Sequence, residues 1–208
     1  MTIDNFIFDW SGTLSDDRRP VYEANMKIFP VFGIKKMKYK NWLSTTTMTV
    51  VDYFNLRKIK ANPARIFSEY KKAYEEVNNK GIMPKIYPQA KKLLQTLYKK
   101  DKKIIIISSH PQEKLEEEIK RYDVLKYIDE IIGSVHNKVL VIKQEIKKEK
   151  LIPEKTIYIG DMVFDIRSTK EAGIISGAIG HGYHPSKRLK KEKPDYYFNN
   201  LEKILKII

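Results

Sequence analysis

Several groups of residues in this chain are of types that could do chemistry together. The stretch NFIFDWSGTLSDD, residues 5–17, ends an apolar run on Asp9 and turns at once through Ser11, Gly12 and Thr13. KIIIISS, residues 103–109, ends on Ser108 and Ser109. Lys138 opens a helical pattern, and TIYIGDMVFD, residues 156–165, carries Asp161 and Asp165 just past another apolar run. Each run reads as a buried strand, and an open parallel sheet binds ligands beyond the carboxyl ends of its strands. A nucleophilic carboxylate, hydroxyl donors, a lysine and two further carboxylates then converge. That grouping suits phosphoryl transfer, because a phosphate needs cations and donors around it, and Mg2+ takes hard oxygen ligands, usually one or two carboxylates plus waters. The helix after Ser109 would add free backbone N–H groups able to hold a phosphate oxygen.

The elements that must position these residues follow from periodicity. Ile3–Asp9, Lys103–Ser108 and Thr156–Gly160 read as strands, with shorter ones at Ile131–Ile132 and Ile174–Ile179. Helical patterns lie between them. Ala90–Tyr98 places Leu93, Leu94 and Leu97 on one face, Gln112–Tyr122 follows Pro111, and Lys138–Lys148 aligns Val139, Ile142 and Ile146. Strands alternating with helices imply right-handed crossovers and an α/β fold, a doubly wound parallel sheet. Residues 15–84 break that rhythm: they are rich in Tyr, Phe and Lys and mainly helical, as over Pro63–Asn78. The expected organisation is a core of residues 1–14 and 85–208 with a small helical domain, 15–84, inserted after the first strand.

Composition limits the alternatives. The 208 residues are 42% hydrophobic, enough for a proper core, and there is no cysteine for a disulfide or a thiolate metal site. The first residues, MTIDNFIFDW, carry Asp4 and Asp9 inside the apolar stretch, unlike a signal peptide, and no run reaches the length of a membrane span. A cytoplasmic protein, monomeric or dimeric, is expected. The net charge of +14 raises nucleic acid as a partner. However, the lysines are scattered in pairs such as Lys71-Lys72, Lys91-Lys92 and Lys147-Lys148, on what read as solvent faces of helices, and arginine forks are scarce. Nucleic acid is therefore not the expected partner, and the basic surface attracts small anionic substrates. His181 and His184 are too few for a zinc site.

Four motifs in order, DWSGTL at 9–14, SS at 108–109, Lys138 and GDMVFDI at 160–166, resemble those of the haloacid dehalogenase superfamily of hydrolases. The likeness runs along nearly the whole chain; STKEAGI, GHGYHP and KPDYYFNNLEKI resemble the carboxyl-terminal part of phosphoglycolate-phosphatase-like members. The resemblance implies that Asp9 attacks phosphorus and becomes an aspartyl-phosphate. It implies Mg2+ held by the Asp9 carboxylate, the main-chain carbonyl of Ser11 and Asp161, with Asp165 as a further or water-mediated ligand. Ser108 and Lys138 would bind the phosphoryl group, and Gly12 and Thr13 would turn their backbone amides to it. The inserted domain would be a helical cap over the site. The alternatives are a solvated surface lysine for Lys138 and, compatibly with the ligand role, a helix cap for Asp165.

Ser11 departs from the pattern. Phosphatases of this superfamily carry an aspartate two residues after the nucleophile; it protonates the leaving group and then activates water, and such positioned help contributes roughly 10²–10⁴-fold. A serine hydroxyl cannot do this near neutral pH. Three readings follow: a phosphatase without that assistance; a phosphonatase-like enzyme, whose branch carries Asp-Trp-Ala-Gly-Thr and uses a cap lysine, for which Lys35, Lys36, Lys38 and Lys40 are candidates; or a dehalogenase, against which the carboxylate-rich GDMVFD argues. A non-catalytic binder of a phosphorylated ligand or a partner is the alternative from another class. Tyr22, Trp42, Thr45 and Tyr53 are candidates for the substrate pocket of the cap.

Overall fold

The computed structural model describes residues 2–47 and 49–208, which form two compact units: residues 2–16 with 86–208, and residues 17–85. The first unit is built on a six-stranded, all-parallel sheet. In chain order its strands and those flanking the second unit are β1 (Asn5–Phe8), β2 (Ser15–Asp16), β3 (Lys85–Ile86), β4 (Lys103–Ile107), β5 (Glu130–Ile132), β6 (Thr156–Gly160), β7 (Ile175–Ile179) and β8 (Tyr196–Phe198). The large sheet runs β5-β4-β1-β6-β7-β8. β1 lies between β4 and β6 in register, Phe8 level with Ile106 and Ile159. The order reverses at β1, so a crevice opens at the carboxyl ends of β1, β4 and β6.

Apolar residues fill both faces of these strands. Phe6, Phe8, Ile104, Ile106, Ile157 and Ile159 pack into one core, and Ile7, Ile105, Ile107 and Tyr158 into another. That is why the strands read as continuous rather than alternating hydrophobic runs. The helices are α1 (Arg18–Ile28), α2 (Tyr39–Thr45), α3 (Val50–Leu56), α4 (Pro63–Asn79), α5 (Pro88–Lys99), α6 (Gln112–Arg121), α7 (Lys138–Lys148), α8 (Val163–Ala172) and α9 (Ser186–Lys191). α5 and α6 bury Leu93, Leu94, Leu97, Leu115 and Ile119 in the first core; α7 buries Ile142 in the second. The edge strand β8 was not legible from periodicity: Tyr196–Phe198 is only three residues long.

The second unit is helical, α1 to α4. Asn62 caps α4 by accepting from the Ala64 N–H at 2.9 Å, with Pro63 suited to the first turn, and Thr49 with Asp52 forms a capping box on α3. Trp42 and Tyr53 are buried at 1% and 2% exposure, so they build this unit's own core instead of lining a pocket. Tyr53 stacks on Phe29 and Trp42 packs on Tyr22, whose hydroxyl donates to the Met37 carbonyl, while Thr45 bonds back to the Asn41 carbonyl. The paired lysines at 71–72, 91–92 and 147–148 are all exposed. Among the described residues no helix is long and apolar enough to cross a membrane.

Candidate active site

β1 delivers Asp9 to the crevice; its N–H continues the ladder to the Ile159 carbonyl at 2.9 Å, which fixes the carboxylate at the strand end. The chain then turns tightly, with the Trp10 carbonyl accepting from the N–H groups of Thr13, Leu14 and Ser15. Gly12 sits at φ +73°. A Cβ there would overlap Asp161 Oδ2 and approach Tyr183 Cδ2 at 2.7 Å, so glycine serves both the backbone conformation and the close approach. Gly12→Ala is expected to cost about 1–2 kcal/mol for the left-handed conformation alone, and more through displacement of Asp161. Urea unfolding beside an assay of turnover reads both losses.

Three carboxylates meet here. Oxygens of Asp9, Asp161 and Asp165 lie within 4.8 Å of one another, all buried. Lys138, at the start of α7, joins them: its Nζ donates to Asp165 Oδ1 at 2.6 Å and lies 3.2 Å from Asp9 Oδ1. Lys138 is 5% exposed, so the surface-lysine alternative is set aside. Ser108, fully buried at the end of β4, and the Trp10 N–H both donate to Asp9.

Asp161 is held by the Thr13 hydroxyl at 3.1 Å and the Tyr183 N–H at 2.6 Å. Asp165 does double duty, since its Oδ2 accepts from the Met162 N–H at 2.9 Å and caps α8 while Oδ1 meets Lys138. Ser109 is half-buried beyond Ser108, and Ser11 pairs through its backbone with Ser15.

One expectation is corrected. The amides of Gly12 and Thr13 do not face the crevice. Gly12 N–H donates to the Ser15 carbonyl at 2.7 Å and Thr13 N–H to the Trp10 carbonyl at 3.1 Å. A turn this tight closes with its own amides, and Thr13 contributes its side chain instead. The histidines of GHGYHP also find structural duties. His184 Nδ1 accepts from the Val163 N–H at 3.0 Å at the start of α8, and His181 Nε2 lies 3.0 Å from the Thr13 carbonyl under the Tyr87 ring. Two supporting groups were missed. Tyr158, inside TIYIG, donates from its hydroxyl to the Ile107 carbonyl at 3.0 Å and approaches Asp165; Glu118 lies on the buried face of α6. A polar residue at an apolar position of the period was the available signal for each.

The electrostatics follow from crowding anions out of water. Burial pushes the Asp9 carboxyl up to about 6; Lys138 opposes that rise and Asp165 adds to it. Burial, then the neighbouring Asp165 and Asp9, lift Asp161 well above the carboxylate range. For Lys138, burial alone would depress the amine, but Asp165 and Asp9 hold it well above its ordinary value. Two of the three buried carboxylates, Asp9 and Asp165, therefore share the buried ammonium of Lys138, and Asp161 has no such cation beside it among the described residues. Among the described residues no hydrogen bond reaches Asp9 Oδ1. A buried, under-satisfied carboxylate oxygen beside two further carboxylates is a fitting place for a hard divalent cation.

The family model for haloacid dehalogenase-like hydrolases matches residues 6–179, from β1 through β7. The chain belongs to that family. Curated relatives of this haloacid dehalogenase-like hydrolase include a Caldanaerobacter subterraneus protein named provisionally as the pyrophosphatase PpaX, 27% identical, the match covering 100% of this chain and 96% of that one. A phosphoglycolate phosphatase of Vibrio cholerae is 21% identical over 72% of this chain and 66% of its own. Among solved structures, a Clostridium difficile protein named provisionally as a phosphatase superposes with a TM-score of 0.80 at 26% identity, covering 100% and 99% of the two chains.

Proposed function

We propose that this hydrolase is a Mg2+-dependent phosphatase of small phosphate esters, acting through an aspartyl-phosphate on Asp9. The observation that carries the reading is the buried Asp9 Oδ1, which accepts no hydrogen bond among the described residues, lies 3.2 Å from the Lys138 ammonium and is grouped with Asp161 and Asp165. Asp9, Asp161 and the Ser11 carbonyl would hold the metal, with Asp165, whose Oδ1 is paired with the Lys138 ammonium, as a further or water-mediated ligand. Bound there, Mg2+ supplies charge against the phosphoryl oxygens. Ser108 donates to the phosphoryl group and keeps Asp9 oriented for in-line attack, with Ser109 and the start of α6 beside it. Lys138 carries positive charge to the nucleophile and the phosphoryl oxygens together. Selection of the substrate is assigned to the helical unit, residues 17–85. Relatives named as a pyrophosphatase and a phosphoglycolate phosphatase support a small, strongly anionic substrate.

The phosphonatase-like alternative rests on Trp10 and the small residue at 11 alone. Its candidate lysines, Lys35, Lys36, Lys38 and Lys40, are all exposed, whereas an amine that forms a Schiff base is activated by desolvation or by a neighbouring cation. Phosphate release from pyrophosphate, 2-phosphoglycolate, other small esters and phosphonoacetaldehyde, with Mg2+ or with EDTA, tests the reading. The expected result is Mg2+-dependent release from one or more of the phosphate compounds. Release from the phosphonate alone would replace it with the phosphonatase-like reading.

A further inference from the structure

Serine at position 11 leaves the nucleophile's own loop without a group that can exchange a proton near neutral pH. A second ionisable pair lies against that loop. Glu118, on α6, is 6% exposed; its Oε2 accepts from Trp10 Nε1 at 2.9 Å and from Ser15 Oγ at 3.2 Å. Trp10 follows the nucleophile directly, and Ser15 is the backbone partner of Ser11. The other oxygen, Oε1, lies 3.6 Å from Nε2 of His110.

His110 stands two residues past Ser108, the serine that ends β4 and donates to Asp9. Its N–H donates to Ser108 Oγ at 3.3 Å, and that hydroxyl in turn donates to Asp9. Its carbonyl accepts from the Ser134 N–H at 2.7 Å. Backbone bonds thus anchor the imidazole, and a buried carboxylate faces it. Burying a carboxylate against an apolar core is expensive. Holding an indole and a hydroxyl in place would need only a neutral amide or hydroxyl acceptor. Burial pushes the Glu118 carboxyl upward, opposed by its bonds from Trp10 and Ser15 and by Arg121, with Glu117 adding to the rise. When ionised, this carboxylate, 3.6 Å from Nε2, attracts an imidazolium at His110.

We propose that His110, oriented by Glu118, is the acid–base residue of this site and takes the part that Ser11 cannot play. The inference rests on the phosphatase reading and adds the missing proton path. In the first step an Asp9 oxygen bonds to phosphorus, the bond from phosphorus to the leaving oxygen breaks, and that oxygen takes a proton from the His110 imidazolium. In the second, neutral His110 takes a proton from water as the water oxygen bonds to phosphorus. The Asp9–phosphorus bond breaks, phosphate departs, and the imidazolium is restored. Glu118 holds the ring and favours its cationic form. The other groups facing the pair are Arg121, Glu117 and Tyr122 on the same helix segment and Ser15 on the nucleophile loop.

The test uses the full chain with Mg2+, assayed on 2-phosphoglycolate and on p-nitrophenyl phosphate, with thermal melts of every variant. His110→Gln is expected to lower kcat on the alkyl ester about 10²–10⁴-fold. On p-nitrophenyl phosphate, whose leaving group needs no proton, it should leave a burst of nitrophenol stoichiometric with enzyme, followed by slow turnover. Ser11→Asp should raise the His110→Gln rate by a larger factor than it raises the wild-type rate. Glu118→Gln keeps the acceptor for Trp10 and Ser15 but loses the charge, so it should move the alkaline limb of the pH–rate profile to lower pH. Should His110→Gln melt early, that limb decides. Unchanged kcat and pH profiles in both variants, or an equal gain from Ser11→Asp in both backgrounds, would overturn the assignment while leaving the phosphatase reading intact. A wild type that releases phosphate from neither ester nor from pyrophosphate would overturn both.

Discussion

Asp9→Asn is expected to lower turnover by at least about 10⁴-fold, the scale seen when a covalent nucleophile is removed. The amide matches the carboxylate in shape, so the fold should persist and the loss should fall on kcat. The same substitution should make the metal-free protein more stable, which separates a chemical from a structural effect. Burial raises the Asp9 carboxyl from 3.8 to about 6, so the native state holds that proton more tightly than the unfolded chain does. Below 3.8 both states are protonated and the substitution changes little. Stability contributed by the proton is lost as the pH rises through 6, and above it ionised Asp9 costs about 3 kcal/mol, at ~1.4 kcal/mol per pKa unit. In EDTA, Asp9→Asn should therefore gain stability at pH 8 and gain none at pH 3.5. Mg2+ should raise the melting temperature of the wild type more than that of the variant. Equal stability of the two proteins at pH 8 in EDTA would show that the buried charge is relieved in some other way.

Lys138→Met should be the most damaging single change to the site's architecture. The ammonium lies 2.6 Å from Asp165 Oδ1 and 3.2 Å from Asp9 Oδ1 and is the cation these buried groups share. Methionine fills a similar volume but leaves the carboxylates unpaired, and breaking a buried ion pair from one side costs about 3–5 kcal/mol. Turnover should fall about 10²–10³-fold, because no cation then meets the charge on the transferred group. The stability loss should grow from pH 4 to pH 8, since the groups left behind are costly only when ionised. Urea unfolding across that range, with and without Mg2+, reads this directly. A deficit independent of pH would mean that Lys138 acts by packing rather than by charge.

Most of the core architecture was legible before any tertiary contact was known. KIIII and TIYIG are buried on both faces, so their unbroken apolar runs marked central parallel strands, and Lys138–Lys148 matched its helix end to end. β8 escaped because three residues at a sheet edge carry too little pattern. The aromatic residues of the helical unit misled for a related reason: a tryptophan or tyrosine looks the same in a sequence whether it lines a pocket or fills a core.

By itself, the sequence determined which strand ends carry chemistry, because a carboxylate or serine just past an apolar run is local information and strand ends share one edge of a parallel sheet. It determined in the same way that position 11 lacks an acid. Only the tertiary structure decided that Lys138 is buried against two carboxylates, that the Gly12 and Thr13 amides close their own turn, and that Glu118, more than 100 residues from Trp10, reaches its indole. Those are facts of distance between segments remote in the chain. Residue types and spacing constrain such distances only through the packing they produce.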